Sequence, residues 1–318
     1  MVQEAREKRK FIELSAFTTF DNVDVKVFAH IIEGARNGPM LYVGAATHGN
    51  ELQGVEICRR LAQQVQSDAL AGKLIVVPIQ NPMAYRHRVR LNPVDGKDLD
   101  RLYPGSADGT ATNRLAWTLY SELASQADCV VDLHSGGIGS MNVPHIYVPP
   151  RKPTRTQHTC LELAKAFGGD VLIDTQPGVD YHFDLDHPSP YYCNTQGAAG
   201  LYPELGEGGR VDEYYVDFGL RGVKNVLRKL GMLEGSVERQ GKQKVVTRTA
   251  VVLAKTSGIL IRKYELGQEV KKGDLMAKVV GVFNGYEEIF APADGLVQWT
   301  VTFGNVCAGE HICWIGEN

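Results

Sequence analysis

The sequence predicts an α/β protein, a sandwich of helices around a largely parallel sheet, followed by a small all-β unit. Three observations carry this expectation. From residue 26 to about residue 235, strand-like apolar runs alternate with segments of helical spacing, the pattern of βα units around a parallel sheet. Two of those runs, at residues 41–46 and 130–133, lead directly into His48 and His134. Beyond about residue 245 helical periodicity stops and a degenerate internal repeat takes over.

Taken in order, residues 1–25 read as an N-terminal extension. The first ten are charged and no apolar segment follows them, so they do not form a signal peptide. Residues 26–235 read as the catalytic domain. Its first strand-like run ends at Thr47-His48-Gly49, and Leu52, Val55, Ile57, Cys58, Leu61 and Val65 then follow helical spacing. Residues 73–79 read as a strand, residues 112–126 as a helix opened by Thr110 or Thr112, and residues 130–133 as a second buried strand. Residues 149–200 are richer in Pro, Gly and Tyr and read partly as loops over the ligand edge of the sheet. A last helix is expected over 212–232, stopping near Gly231, and the polar stretch 236–244 reads as a linker.

Residues 245–318 form the all-β unit. Gly258, Leu266-Gly267, Val270 and Gly273-Asp274 recur as Gly295, Phe303-Gly304, Val306 and Gly309-Glu310, with Asn284-Gly285 between the halves as a type I′ hairpin turn. Two such halves resemble a barrel-sandwich hybrid, the shape of biotinyl and lipoyl carrier domains. A carrier needs a lysine at the hairpin tip, and Val282-Phe-Asn-Gly-Tyr286 has none. A structural or lid role is therefore expected.

Composition narrows the function. With 43% hydrophobic and 22% charged residues and a net charge of −3, the chain is an ordinary globular protein with no basic footprint for nucleic acid or anionic membrane. No apolar run approaches the roughly 20 residues that span a bilayer. The six cysteines show no Cys-x-x-Cys spacing and several lie in apolar runs, which suits reduced core thiols in the cytoplasm. At 318 residues, two domains are expected.

His48, Glu51 and His134 make a two-histidine, one-carboxylate set, which leaves a fourth position for water as catalytic zinc requires. Nine histidines and 37 acidic residues give about one His-x-x-acid match by chance. Position supplies the weight: both histidines follow strand ends, where open α/β sheets bind ligands. The bland alternative is two strand-end histidines satisfied by backbone carbonyls.

In order, the chain also carries Asn81-Pro, Asp98-Leu-Asp-Arg101 with Pro104-Gly105, Asp132-Leu-His134 and Glu204-Leu-Gly206. With His48-Gly-Asn-Glu51, these motifs resemble the succinylglutamate desuccinylase/aspartoacylase family of the zinc carboxypeptidase-like superfamily, and the tail resembles its predicted-deacylase branch. The resemblance implies a three-layer α/β/α sandwich with a mixed, largely parallel sheet. It implies one Zn²⁺ on His48, Glu51 and His134, with Glu204 moving a proton from water to the departing amine. It also implies that Arg90 stabilises the oxyanion and that Arg101 binds a substrate carboxylate. Glu207 is a rival for Glu204, and Arg86 or Arg88 for Arg90; a solvated basic stretch is the plain alternative for the arginines.

One position departs from the family, whose motif reads Asp-Leu-Asn-Arg where this chain has Asp100. An ionised aspartate cannot donate to a substrate carboxylate. Asp100 is therefore assigned to substrate binding, offsetting Arg101 and disfavouring dianionic substrates, with Asp180, Asp184 and Asp186 favouring one that bears an amino group. Simple pairing of Asp100 with Arg101 is the alternative. His182 and His187 read as surface residues rather than a second metal site. His145 is expected to be a satisfied core or pocket histidine, with Tyr147, Tyr181 and Tyr191 as pocket walls.

The leading expectation is a cytoplasmic zinc-dependent amidohydrolase acting on a small N-acyl amino acid or amine, with a homo-oligomer compatible. The alternatives are a metallocarboxypeptidase for short peptides and a small-molecule binding protein on the same scaffold.

Overall fold

Alternating apolar runs assemble here into a sheet covered on both faces. The computed structural model describes residues 8–149, 154–174 and 187–317. Its elements in order are β1 (Arg9–Thr18), β2 (Asp24–Glu33), β3 (Arg36–Ala45), α1 (Gln53–Gln64), β4 (Ala71–Val77), α2 (Pro82–His87), α3 (Ala111–Leu119), β5 (Cys129–Leu133) and β6 (Ser140–Val148). Then come α4 (Cys160–Phe167), β7 (Val171–Asp174), α5 (Ser189–Thr195), β8 (Ala199–Glu207) and α6 (Glu213–Lys229). The tail holds β9 (Lys244–Val246), β10 (Thr249–Leu253), β11 (Gly258–Arg262), β12 (Glu269–Val270), β13 (Leu275–Val280) and β14 (Tyr286–Phe290). It closes with β15 (Gly295–Val301), β16 (Asn305–Val306) and β17 (His311–Glu317).

The main sheet runs β1-β2-β4-β3-β5-β8-β6-β15-β17-β10. β4, β3, β5 and β8 are parallel, while β1, β2 and β6 run antiparallel to their neighbours. Alternation along β3 sends Leu41, Val43 and Ala45 into a core with Ile57 and Leu61 of α1, Leu163 and Phe167 of α4, and Val223 and Val226 of α6. Tyr42, between them, faces the opposite core with Val27, Leu115, Leu119 and Val130. Both faces of the central strands are thus dry, the condition for a three-layer sandwich. The expected mixed, largely parallel α/β/α fold is the one observed.

Several local expectations are corrected. Within the expected N-terminal extension, residues 9–18 form β1, which pairs with β2 from Arg9↔Ile32 to Thr18↔Asp24. The expected helix 112–126 is α3 followed by a turn of π-helix, Tyr120–Ala124. Its cap comes from a distance: the Asp95 carboxylate accepts from Thr112 N at 2.9 Å, and Thr110 makes no capping bond. Residues 149–200 contain α4, β7 and α5 as well as loops. The expected linker 236–244 is tied down, because Gln240 Nε2 donates to the carbonyls of Phe167 and Phe218 and Lys244 begins β9 beside β7.

The tail repeat appears as a pseudo-twofold exchange: β11 pairs with β16, and β12 with β15. Val280↔Tyr286 closes the hairpin between the halves, so its loop is residues 281–285. Only Gly285 of the Asn284-Gly285 pair has positive φ, which corrects the two-residue type I′ expectation. A second, four-stranded sheet, β14-β13-β11-β16, completes the tail, whose β15 joins the main sheet through β6. Among the described residues no helix is long and apolar enough to cross a membrane.

Candidate functional site

At the end of β3 the chain turns sharply through Ala46, whose φ is 51°. The N–H groups of Gln80 and Asn81 donate to the carbonyls of Ala45 and Ala46, clipping the segment after β4 onto this turn. Asn81 braces it twice, donating to the Thr47 carbonyl at 3.3 Å and accepting from Ala84 N as the cap of α2. Gly49 lies so close to α2 that a Cβ would sit 1.9 Å from the Ala84 carbonyl carbon. The turn therefore fixes His48 and Glu51 before α1 begins.

His48, Glu51 and His134 converge. His48 Nδ1 lies 2.8 Å from Glu51 Oε1, His134 Nδ1 lies 3.0 Å from Glu51 Oε2, and the two Nδ1 atoms are 3.3 Å apart. All three side chains are buried, and they form one of the groups among the described residues able to hold a metal ion. Each far imidazole nitrogen faces a carboxylate: His48 Nε2 is 3.1 Å from Asp98 Oδ1, and His134 Nε2 is 3.5 Å from Asp132 Oδ2. Such carboxylates orient metal-ligating histidines.

The electrostatics favour a cation. Burial opposes charge on His48, but Glu51 and Asp98 outweigh it and raise its pKa. For His134 burial again opposes charge, and Asp132 and Glu51 push its pKa well up. Glu51 itself is held below the ordinary carboxylate range, the two imidazoles overcoming its burial. The field that would protonate these imidazoles also suits a divalent cation bound to their neutral forms, so the donor set fits zinc.

Asp132 is anchored beneath the site. Gln80 Nε2 donates to its Oδ1 at 2.6 Å, Thr47 Oγ1 lies 3.2 Å from both of its oxygens, and Tyr42 OH holds Gln80 through Oε1 at 2.7 Å. Arg90 donates to Asp98 Oδ2 at 3.1 Å, and its Nη1 is 3.7 Å from Glu51. Its side chain is 46% exposed, so the guanidinium sits at the rim of the site. Arg86 and Arg88 are exposed and do not reach the cavity that Arg90 lines.

Glu204 projects from β8 and pairs across a bridge with His134. Asn142 Nδ2 donates to its Oε2 at 3.0 Å. Burial, reinforced by Glu51, pushes its pKa well above the usual carboxylate range, with His134 and Arg90 opposing. Glu207 turns away to Thr302 and Arg210. Asp100 is fully buried, accepts from Arg101 at 2.5 Å and from Tyr202 OH at 3.0 Å, and among the described residues its Oδ1 has no partner. Tyr202 stacks on His134 with ring centroids 4.0 Å apart.

Beside these groups lies a cavity of about 280 Å³ lined by Arg90, Asp100, Arg101, Tyr202 and Glu204 together with Asn142, His145, Tyr147, Trp299 and Trp314. His145 is there, with the Val143 backbone beside its ring and no side-chain hydrogen-bond partner among the described residues. Tyr147 lines the cavity, whereas Tyr191 packs into a neighbouring core. Asp180, Tyr181, His182, Asp184 and Asp186 lie outside the described residues, and His187 is exposed. Sequence reasoning missed Asn142, Trp299 and Trp314. No motif marks them, since sheet register alone brings them to the site. Asp98 and Asp132 stood inside quoted motifs, and their place two residues before Asp100 and His134 was the available signal.

Residues 37–230 match the family model described as the succinylglutamate desuccinylase/aspartoacylase catalytic domain. The chain is 28% identical over 289 residues to the N-alpha-acetyl-L-2,4-diaminobutyric acid deacetylase of Halomonas elongata, covering 88% of this chain and 82% of that one. It superposes on the product-bound ectoine utilization protein EutE (DoeB) of Ruegeria pomeroyi with a TM-score of 0.84 at 27% identity, covering 98% of this chain and 95% of the other. A succinylglutamate desuccinylase/aspartoacylase from Rhodobacter sphaeroides shares the fold with a TM-score of 0.85 at 24% identity, over 98% and 95% of the two chains.

Proposed function

The chain belongs to the succinylglutamate desuccinylase/aspartoacylase family, and from that premise we propose that it is a zinc-dependent deacylase acting on a small N-acyl amino acid or amine. The observation that carries this reading is the convergence of His48 Nδ1, Glu51 and His134 Nδ1 within 3.3 Å of one another, with Glu204 bridged to His134 from the adjoining strand. Zinc held by His48, Glu51 and His134 would supply Lewis acidity and lower the pKa of water towards about 7.

The chain's own residues do the rest. Asp98 and Asp132 hold the two imidazoles with Nδ1 facing inward. Glu204 takes a proton from the attacking water and delivers it to the departing amine nitrogen, a role its raised pKa suits because it must both accept and release a proton near neutrality. Arg90, beside Glu51 at the rim, supplies positive charge to the developing oxyanion.

Arg101 binds a substrate carboxylate while Asp100 offsets its charge, so a dianionic substrate is disfavoured and one bearing an additional amino group is favoured. The name of the Halomonas elongata deacetylase, an enzyme for an acetylated diamino acid, supports this reading. The modest cavity supports a small substrate over a peptide. Five buried cysteines without disulfides suit the cytoplasm.

The test is metal analysis of the purified protein, followed by hydrolysis of a panel of N-acyl amino acids, acetylated diamino acids and short peptides. Stoichiometric zinc and turnover of acylated amino acids are expected. Absence of bound or activating metal, or cleavage of peptides alone, would overturn the proposal.

A further inference from the structure

The cavity side of β6 is built around an irregularity. Asn142 pairs with Gly206 of β8 and His145 pairs with Glu204, so one extra residue is accommodated at Val143-Pro144. In a regular strand, positions three apart face opposite sides. The bulge re-aims the strand, and both Asn142 and His145 line the cavity. The row continues sideways: Asn142 pairs with Trp299 of β15, which pairs with Trp314 of β17. Laterally paired residues share a face, so this row extends the cavity wall away from His134 across three further strands.

The wall carries unspent hydrogen-bonding groups. His145 and Asn142 are 1% and 2% exposed. Among the described residues the His145 ring has no side-chain hydrogen-bond partner, only the Val143 backbone beside it, and Oδ1 of Asn142 lacks a partner, its Nδ2 being committed to Glu204. Native proteins seldom leave buried polar atoms unpaired unless a ligand or water completes them. Burial pushes the His145 pKa down to about 3, so its ring is neutral, with one donor and one acceptor. The flanking tryptophans stack 4.7 Å apart, and Trp314 spends its N–H on His311. Arg90 and Arg101, the cavity's cations, come from the segment between α2 and α3 and not from this row of strands.

We infer that Asn142, His145 and the Trp299–Trp314 pair form a specificity subsite for an uncharged hydrogen-bonding group of the substrate, one that rejects a carboxylate. This rests on the deacylase reading above. A carboxylate placed here would be buried beside Glu204 on a wall that itself supplies no cation. An uncharged acyl chain and an uncharged amine side chain share the required chemistry, and two substrate series separate them.

Steady-state kinetics would compare N-acetyl with N-succinyl derivatives of one amino acid, and N-acetylglutamine with N-acetylglutamate. In one series the carboxylate should cost at least about a hundredfold in kcat/KM, and that series identifies the group bound. The penalty should persist in Asp100→Asn, which separates it from any effect of Asp100. His145→Phe should lower kcat/KM for the preferred substrate about tenfold, mainly through KM, with His145→Gln restoring most of the loss. Discrimination below about threefold in both series, or a wild-type KM in a folded His145→Phe protein, would overturn the subsite. The wild-type comparison needs no variant and decides the matter if His145→Phe does not fold. Failure to hydrolyse any acylated amino acid would instead remove the deacylase reading itself.

Discussion

At the scale of single residues, the roles proposed for Glu204 and Asp100 separate chemistry from selectivity. Glu204 meets His134 across a bridge and is steadied by Asn142. Replacing it with glutamine keeps the hydrogen-bonding shape but removes the base, so kcat should fall by about 10²–10⁴. Zinc content, read by metal analysis, should stay at the wild-type level, because Glu204 lies outside the proposed ligand set. Loss of the metal along with the activity would instead make Glu204 part of the metal set. Asp100 pairs with Arg101 as the plain alternative had it, yet among the described residues one of its oxygens remains buried and unpartnered at the cavity. Asp100→Asn should improve kcat/KM for a dianionic N-acyl-aspartate relative to an acylated diamino acid by about tenfold, the scale of one charge-assisted hydrogen bond. An unchanged ranking of the two substrates would sink that role.

Secondary-structure elements show why some of the site was legible and some was not. His48 and His134 follow buried apolar runs, and strand ends in such sheets are where ligands gather, so local pattern was enough. The cap of α3 was beyond local pattern, because Asp95 lies 17 positions before the Thr112 it binds. Burial would raise the Asp95 pKa, but hydrogen bonds from Thr112, then Thr110 and Lys97, bring it below the ordinary value. A carboxylate depressed in the folded state adds stability above its unfolded pKa of about 3.9, and that contribution is lost as pH falls through the folded value. Asp95→Ala should therefore cost about 1 kcal/mol at pH 7. In denaturant melts the gap from wild type should shrink below about pH 4. A gap that does not shrink at all as the pH falls through the acid range would point to packing rather than to the charged cap. The β6 bulge was illegible for a related reason: Val143-Pro144 reads as ordinary apolar strand until its partner β8 is known.

Across the whole molecule, the tail carries its own four-stranded sheet and is joined to the main sheet through β15 and β6. The repeat showed in the sequence because its two halves are local. Its junction did not, because the Trp299↔Asn142 pairing joins residues 157 positions apart (299 − 142). β15 covers the edge of β6, β9 runs beside β7, and Thr302 N donates to the Gly139 carbonyl at 2.7 Å. Removing residues 245–318 would bare the edge of β6 and strip two tryptophans from the cavity, and exposed strand edges invite aggregation. The intact chain should thus unfold in a single cooperative thermal transition, and a protein ending at residue 244 should be insoluble or lack that transition. Trp299→Ala, which leaves the backbone pairing intact, isolates the second effect: KM should rise about tenfold, as for loss of a buried aromatic contact, with zinc content unaltered. A truncated protein that folds and turns over substrate with the full-length KM would show instead that the tail is dispensable, and that the aromatic wall lies beyond the reach of the substrate.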